Sequence, residues 1–171
     1  MDYELAYRYG APSCLDEGAG LALATSGGST PEGEAAHPYF FSGFMERPDV
    51  VAAGLLAVAR VARTRFYVPP GMVVAPGGGL TRIGMLDPVV TSTAEGLRFE
   101  SFSVCCGVYA RLDVEASALD ATHCAVGVTN VDVNQPLRAA LASLRAGEPL
   151  HLGVGEEGLT ATTLDEEVTE E

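Results

Sequence analysis

Apolar and polar positions alternate in short runs along most of this chain and recur at helical spacing in only two places. Residues 3–9 and 21–26 alternate as strands do, and Asp16-Glu17-Gly18-Ala19-Gly20 between them supplies a turn. Residues 1–26 are therefore expected to form an N-terminal hairpin. Residues 27–38 (GGSTPEGEAAHP) are rich in glycine and proline and read as a flexible surface loop. After Pro48-Asp49, the residues Val51, Leu55, Val58 and Ala62 recur every three or four positions, which predicts a helix over 49–65 that stops before Pro69-Pro70. Asn134 is a good N-cap with Pro136 in the first turn. Leu137, Leu141 and Leu144 then form the stripe of a second helix over 134–146, ended by Gly147.

Between and after the helices the period returns to two. Residues 89–93 and 97–103 flank Ala94-Glu95-Gly96, a hairpin signature. Residues 104–114 and 122–133 each predict a further strand, 71–88 read mostly as loop, and 150–154 and 159–164 flank Glu156-Glu157-Gly158 as a last hairpin. The segment 93–101 (TAEGLRFES) echoes 155–163 (GEEGLTATT), and each hairpin follows a helix. The expected fold class is α+β, with antiparallel hairpins and sheets and two helices on one face. A helix-plus-hairpin unit is expected twice, over 49–103 and 127–164, within a single domain spanning 1–171.

Composition narrows the functional classes. With 171 residues, 47% of them hydrophobic and 19% charged, the chain can bury a core and is not a disordered segment. It has no apolar run of the ~20 residues that a membrane helix needs, so no membrane partner is expected. The start Met1-Asp2-Tyr3-Glu4 lacks the basic and apolar stretches of a signal peptide, which points to the cytoplasm. Four cysteines are too few for a disulfide scaffold. The 23 acidic residues face 10 basic ones, all arginine, for a net charge of −13, which argues against a generic nucleic-acid coat. Residues 165–171 concentrate acid and read as a solvated tail.

The charges sort by element. The first helix carries Arg60, Arg63 and Arg65 against Asp49, and the second carries Arg138 and Arg145 with no acid. One reading is an arginine-lined helix face, with Arg60, Arg63, Arg138 and Arg145 meeting phosphates. The other is the solvated side of two amphipathic helices in a lysine-free protein.

The order of elements resembles one domain of the bacterial replication sliding clamps. Residues 49–103 match its first half, a helix leading into a hairpin, and 127–171 match its second half, a strand, a Leu-striped helix and a strand pair. The resemblance implies helices that face DNA and sheets that face outward. A clamp ring uses several such domains, and here there is at most one. Closer in sequence, residues 38–164 resemble the N-terminal region of actinobacterial proteins of the SWIM zinc-finger family. The resembling stretches are HPYFFSGF (37–44), LLAVARVARTRFY (55–67), DPVVTS (87–92), LRFESFSVCCGVYARLDV (97–114), TNVDVNQPLRAAL (129–141) and LHLGVGEEGLTATTLD (150–165). The zinc finger itself needs Cys-x-Cys followed by Cys-x-His, and this chain has neither spacing. The resemblance therefore implies a piece of a larger system whose metal module lies elsewhere.

Other candidate chemistry is sparse. Cys105-Cys106-Gly107 falls in the middle of a predicted strand, where neighbours point to opposite faces; the pair reads either as packing residues or as a thiol nucleophile. Cys105, Cys106, Cys124 and His123 are suitable zinc donors, but their spacing matches no common zinc module, so no metal or other cofactor is expected. Pro76-Gly77-Gly78-Gly79 lacks the Lys-Ser/Thr ending of a phosphate loop, and no G-x-S-x-G occurs. Tyr39, Phe40, Phe41 and Phe44 are either a core cluster under the first helix or a docking patch. The expectation is a non-enzymatic, clamp-like binding domain that contacts DNA through the four arginines. The alternative is a protein-interaction module that docks other domains or subunits through the aromatic segment 39–44 and the sheet edges, and self-association is open to it. A thiol enzyme at Cys105 or Cys106 ranks third.

Overall fold

The computed structural model describes residues 9–15, 20–67, 87–145 and 147–155. Most of the expected strand 3–9, the loop 71–86, the strand 159–164 and the tail 165–171 lie outside the described residues. The fold is α+β. In chain order the elements are β1 (Cys14–Leu15), β2 (Gly20–Leu23), β3 (Thr25–Thr30), β4 (Gly33–Ala35), β5 (Phe41–Met45), α1 (Pro48–Ala62), β6 (Val89–Thr93), β7 (Gly96–Phe102) and β8 (Tyr109–Glu115). A 3-10 turn, Ala116–Ala118, follows, and then β9 (Leu119–Cys124), β10 (Gly127–Val131), α2 (Gln135–Ser143) and β11 (His151–Val154).

The strands form two sheets, ordered β1-β2-β11-β5-β9 and β4-β3-β10-β6-β7-β8. All the strand pairs are antiparallel except β2 with β11. Two strand–helix–strand units cross between the sheets in opposite directions. β5 lies in the first sheet and leads through α1 to β6 in the second; β10 lies in the second and leads through α2 to β11 in the first. Each incoming strand pairs with the other unit's outgoing strand, β5 with β11 and β10 with β6.

Helix α1 follows its sequence pattern. Pro48 opens it, Asp49 lies in the first turn where the helix dipole favours acid, and Val51, Ala52, Leu55, Val58, Ala59 and Ala62 are buried. Fully burying a Val or Leu side chain contributes about 1.5–3 kcal/mol, far more than propensity supplies. Helix α1 packs on β7, β8 and α2. Ser101 of β7 donates to the Val58 carbonyl at 2.7 Å, so a buried hydroxyl also ties sheet to helix. Helix α2 starts as its sequence predicts, with the Asn134 side chain accepting from Leu137 N at 2.9 Å, and it buries Leu137 and Leu141.

Three expectations are corrected. The segment 27–38 is not simply loop, because β3 and β4 form a hairpin with Ser29 opposite Glu34. Gly28 marks a close approach rather than flexibility: a Cβ there would fall 2.1 Å from the Val128 carbonyl oxygen. The stretch 122–133 is not one strand but the end of β9 and all of β10, which belong to different sheets. The crossing occurs at Ala125-Val126, and Gly127 then passes directly beneath the buried Phe40 ring, where an added Cβ would sit 2.7 Å from a ring carbon. Finally, 104–114 is a turn followed by a strand, which changes the setting of the cysteine pair.

Candidate functional site at the β7–β8 turn

Residues 103–108 join β7 to β8, whose last ladder pair is Phe102 with Tyr109. Ser103 is fully buried, and its backbone N–H donates to Val108 O at 2.8 Å while its hydroxyl accepts from Val108 N at 3.0 Å. Cys106 N donates to Ser103 O at 2.8 Å, and Val104 N to Thr64 O at 3.0 Å, which lashes the turn to the chain leaving α1. Cys106 has φ +55, the one left-handed non-glycine residue among those described. Such a conformation is costly for a side chain, and the turn's hydrogen bonds hold it in place.

This turn forms a cradle for the Cys105 sulfur. Phe66 N donates to Sγ at 3.4 Å, and Ser103 Oγ lies 3.4 Å from it. When Cys105 is ionised, the Ser103 hydroxyl is the donor of this contact, since a thiolate can only accept. The Ser103 hydroxyl, the Gly107 N–H and the Phe66 and Tyr67 N–H groups favour the thiolate against a smaller desolvation effect, and the Cys105 pKa falls to about 6. Cys105 is partly exposed and Cys106 exposed, and neither forms a disulfide.

Exposed aromatics lie on the strands that flank the turn and on the segment hydrogen-bonded to it. Phe66, Tyr67, Phe102 and Tyr109 are 56%, 58%, 49% and 46% exposed. Phe102 and Tyr109 contact each other with centroids 5.1 Å apart, and the Tyr109 hydroxyl donates to Glu100. That bond raises the Tyr109 pKa and keeps the phenol protonated.

The residues singled out from sequence are dispersed. Of the aromatic segment, Phe40 and Phe41 are fully buried core; Tyr39 stacks on His123 with centroids 4.5 Å apart, and the half-exposed Phe44 lies edge-on against His151 at 5.0 Å. Ser42 Oγ is 3.1 Å from His151 Nε2, and Thr122 donates to the same hydroxyl at 3.4 Å, a polar knot across β5, β9 and β11 that no sequence spacing announces. The zinc donors are not brought together. Cys105 and Cys106 sit at the β7–β8 turn, Cys124 ends β9 and lies 3.7 Å from Ser92 Oγ, and His123 is engaged with Tyr39. Among the described residues no group of three His, Cys, Asp or Glu is placed to hold a metal.

The arginine face is also incomplete. Arg63 is turned inward, donating to Asp87 Oδ1 at 2.9 Å and to Val133 O at 3.2 Å. Tyr9 donates to the other Asp87 oxygen at 3.1 Å, yet burial still raises the Asp87 pKa above its ordinary value. Arg138 is half-buried with Nε directed at Asn134 O, while Arg60 and Arg145 are exposed. The other outward residues of the two helices include Val50, Ala53, Ala57, Gln135, Ala139 and Ala142, which carry no charge.

No family model, curated protein or solved structure matches this chain. Among the described residues no helix is long and apolar enough to cross a membrane.

The cradle has a direct chemical consequence. Alkylation of Cys105 by iodoacetamide is expected to follow a titration centred near pH 6, well below the ordinary thiol value of 9.0. Peptide mapping across pH 5–9 reads it, and a midpoint above 8 would show that the cradle does not hold the thiolate. The depressed pKa also links stability to pH. The contribution is fully present above the unfolded thiol's value near 9 and is lost as pH falls through about 6.

Proposed function

We propose that this chain is a protein-interaction domain that docks a partner at the β7–β8 turn, and that the partner presents cationic side chains there. The observation that carries the reading is the half-exposed Phe102–Tyr109 pair at the end of the β7–β8 ladder, with Phe66 and Tyr67, 56% and 58% exposed, on the segment whose backbone N–H groups approach Cys105. Isolated exposed aromatics are ordinary, whereas several exposed aromatics on segments joined by hydrogen bonds suit recognition. Aromatic faces attract guanidinium and ammonium groups, the Cys105 thiolate adds a negative charge among them, and the net charge of −13 steers cations from a distance. A clamp-like DNA contact has the exchanged strand–helix–strand units in its favour. It would fall to Arg60, Arg138 and Arg145, since Arg63 is committed to Asp87.

The test is fluorescence anisotropy with an arginine-rich peptide and, separately, a short DNA duplex across a salt series. The peptide is expected to bind, and the paired change Phe66→Ser and Tyr67→Ser to weaken it about 10- to 100-fold, as loss of two exposed aromatics implies. Unchanged affinity in that variant would overturn the reading. Duplex binding with a log–log salt slope near −3, lost on replacing Arg60, Arg138 and Arg145, would put nucleic acid in the partner's place.

A further inference from the structure

Strand β8 ends the second sheet, and no described strand pairs with its outer edge. Its side chains alternate strictly. Tyr109, Arg111, Asp113 and Glu115 are exposed on one face, while Ala110, Leu112 and Val114 face α1 and are partly or fully buried. A seven-residue unpaired edge is a template for another strand, and proteins commonly guard such edges with charged side chains or with proline. Here the guard is mixed, with Arg111 and Asp113 side by side at 2.5 Å and Arg98 of β7 joining the same carboxylate at 2.9 Å.

The hydrogen-bond parity of the edge is fixed by the ladder behind it. Ser103 N bonds Val108 O and Ala116 N bonds Glu95 O, both in the register of the β7–β8 pair. Bonded pairs alternate along an antiparallel ladder, so Ala110, Leu112 and Val114 direct their backbone groups at β7. Tyr109, Arg111, Asp113 and Glu115 therefore direct theirs outward. An antiparallel partner must meet these residues with its own outward-directed ones. Between two copies of β8, the register centred on Arg111 opposes arginine with arginine, and the register centred on Asp113 opposes two aspartates. The register centred on Leu112 sets Arg111 against Asp113 and Asp113 against Arg111. Opposite charges directly across an antiparallel pair stabilise it and like charges destabilise it.

We propose that β8 pairs with β8 of a second copy about a two-fold axis at Leu112, joining two six-stranded sheets into one. The flank of α1 above this edge suits the approach. An added Cβ on Gly54 would fall 2.9 Å from the Leu112 side chain, so this side of the helix leans over β8. Val50, Ala57 and Val61 share the flank by helical spacing, with Val50 47% exposed and no charge among them. The interface is isologous, so every substitution acts twice.

Sedimentation velocity on the full chain at tens of micromolar is expected to show a species of twice the monomer mass. Arg111→Asp faces aspartate with aspartate, and Asp113→Arg faces arginine with arginine. Each is expected to weaken the dimer about 10- to 100-fold while circular dichroism stays native. Mixing the two variants restores both opposite-charge pairs, so a heterodimer is expected although neither variant self-associates. A monomeric wild type, single variants that remain dimeric, or a mixture that stays monomeric would each overturn the proposal.

Discussion

Phe40→Ala is expected to lower stability by about 3–5 kcal/mol, the range for deleting a fully buried aromatic. Phe40 sits where the two sheets meet. Its N–H donates to Val154 O of β11 at 3.1 Å, its carbonyl accepts from Ala125 N at 2.9 Å, and its ring covers Gly127 at the start of β10. Truncation leaves the backbone bonds intact and empties the space above Gly127, which lies in a strand of the opposite sheet and cannot collapse inward without shifting its pairing with β6. The loss is a large part of the 5–15 kcal/mol that holds an ordinary domain. Urea unfolding followed by circular dichroism should show a lower midpoint with an unchanged slope. A loss under about 1 kcal/mol would mean that Phe40 is not a joint between the sheets.

The second large effect is expected at Gly96, which opens β7 with φ +136. Two separate costs meet there. An L side chain disfavours that conformation, and a Cβ would fall 2.1 Å from the Val114 carbonyl oxygen in the neighbouring strand. Gly96→Ala is therefore expected to cost about 3 kcal/mol or more, because backbone rather than a movable side chain must yield. Gly33→Ala isolates the first cost. Gly33 has φ +127 and nothing within 4 Å of its added Cβ, so only the conformational penalty of about 1 kcal/mol applies. Equal losses at the two sites would show that β8 yields to the added methyl at little cost.

Much of the framework is legible in the residues. The 3.6-residue stripe from Val51 to Ala62 and the Asn134 cap located both helices to within a few residues, because burial of one face and a side-chain cap are local properties of a few turns. The hairpin at 89–103 was equally plain, since alternation and a Glu-Gly turn lie within one short segment. The aromatic segment was ambiguous for a physical reason: alternation sends Phe41 inward and Phe44 outward, and only the neighbouring strands determine which face is covered. Arg63 looked like a surface cation by helical position, but its guanidinium is drawn inward by Asp87 and Val133, which are 24 and 70 residues away. The cysteine pair was misplaced because 104–114 is apolar enough for one strand, while Cys106 in a left-handed conformation breaks it into a turn.

The local sequence pattern was sufficient for the class α+β, for two helices and for most strands, because periodicity and turn chemistry act over fewer than about ten residues. It could not specify which strands share a sheet. The crossing of the two strand–helix–strand units between sheets, and the approach of the Phe66 and Tyr67 N–H groups to Cys105, join segments far apart in the chain. Such juxtapositions depend on how apolar faces pack, and packing is a property of the whole fold. The outer edge of β8, which no described strand pairs with, lies between these cases. Its opposite charges on either side of Leu112, Arg111 and Asp113, are written in the sequence, but only the pairing with β7 shows which residues turn their backbone groups away from that strand.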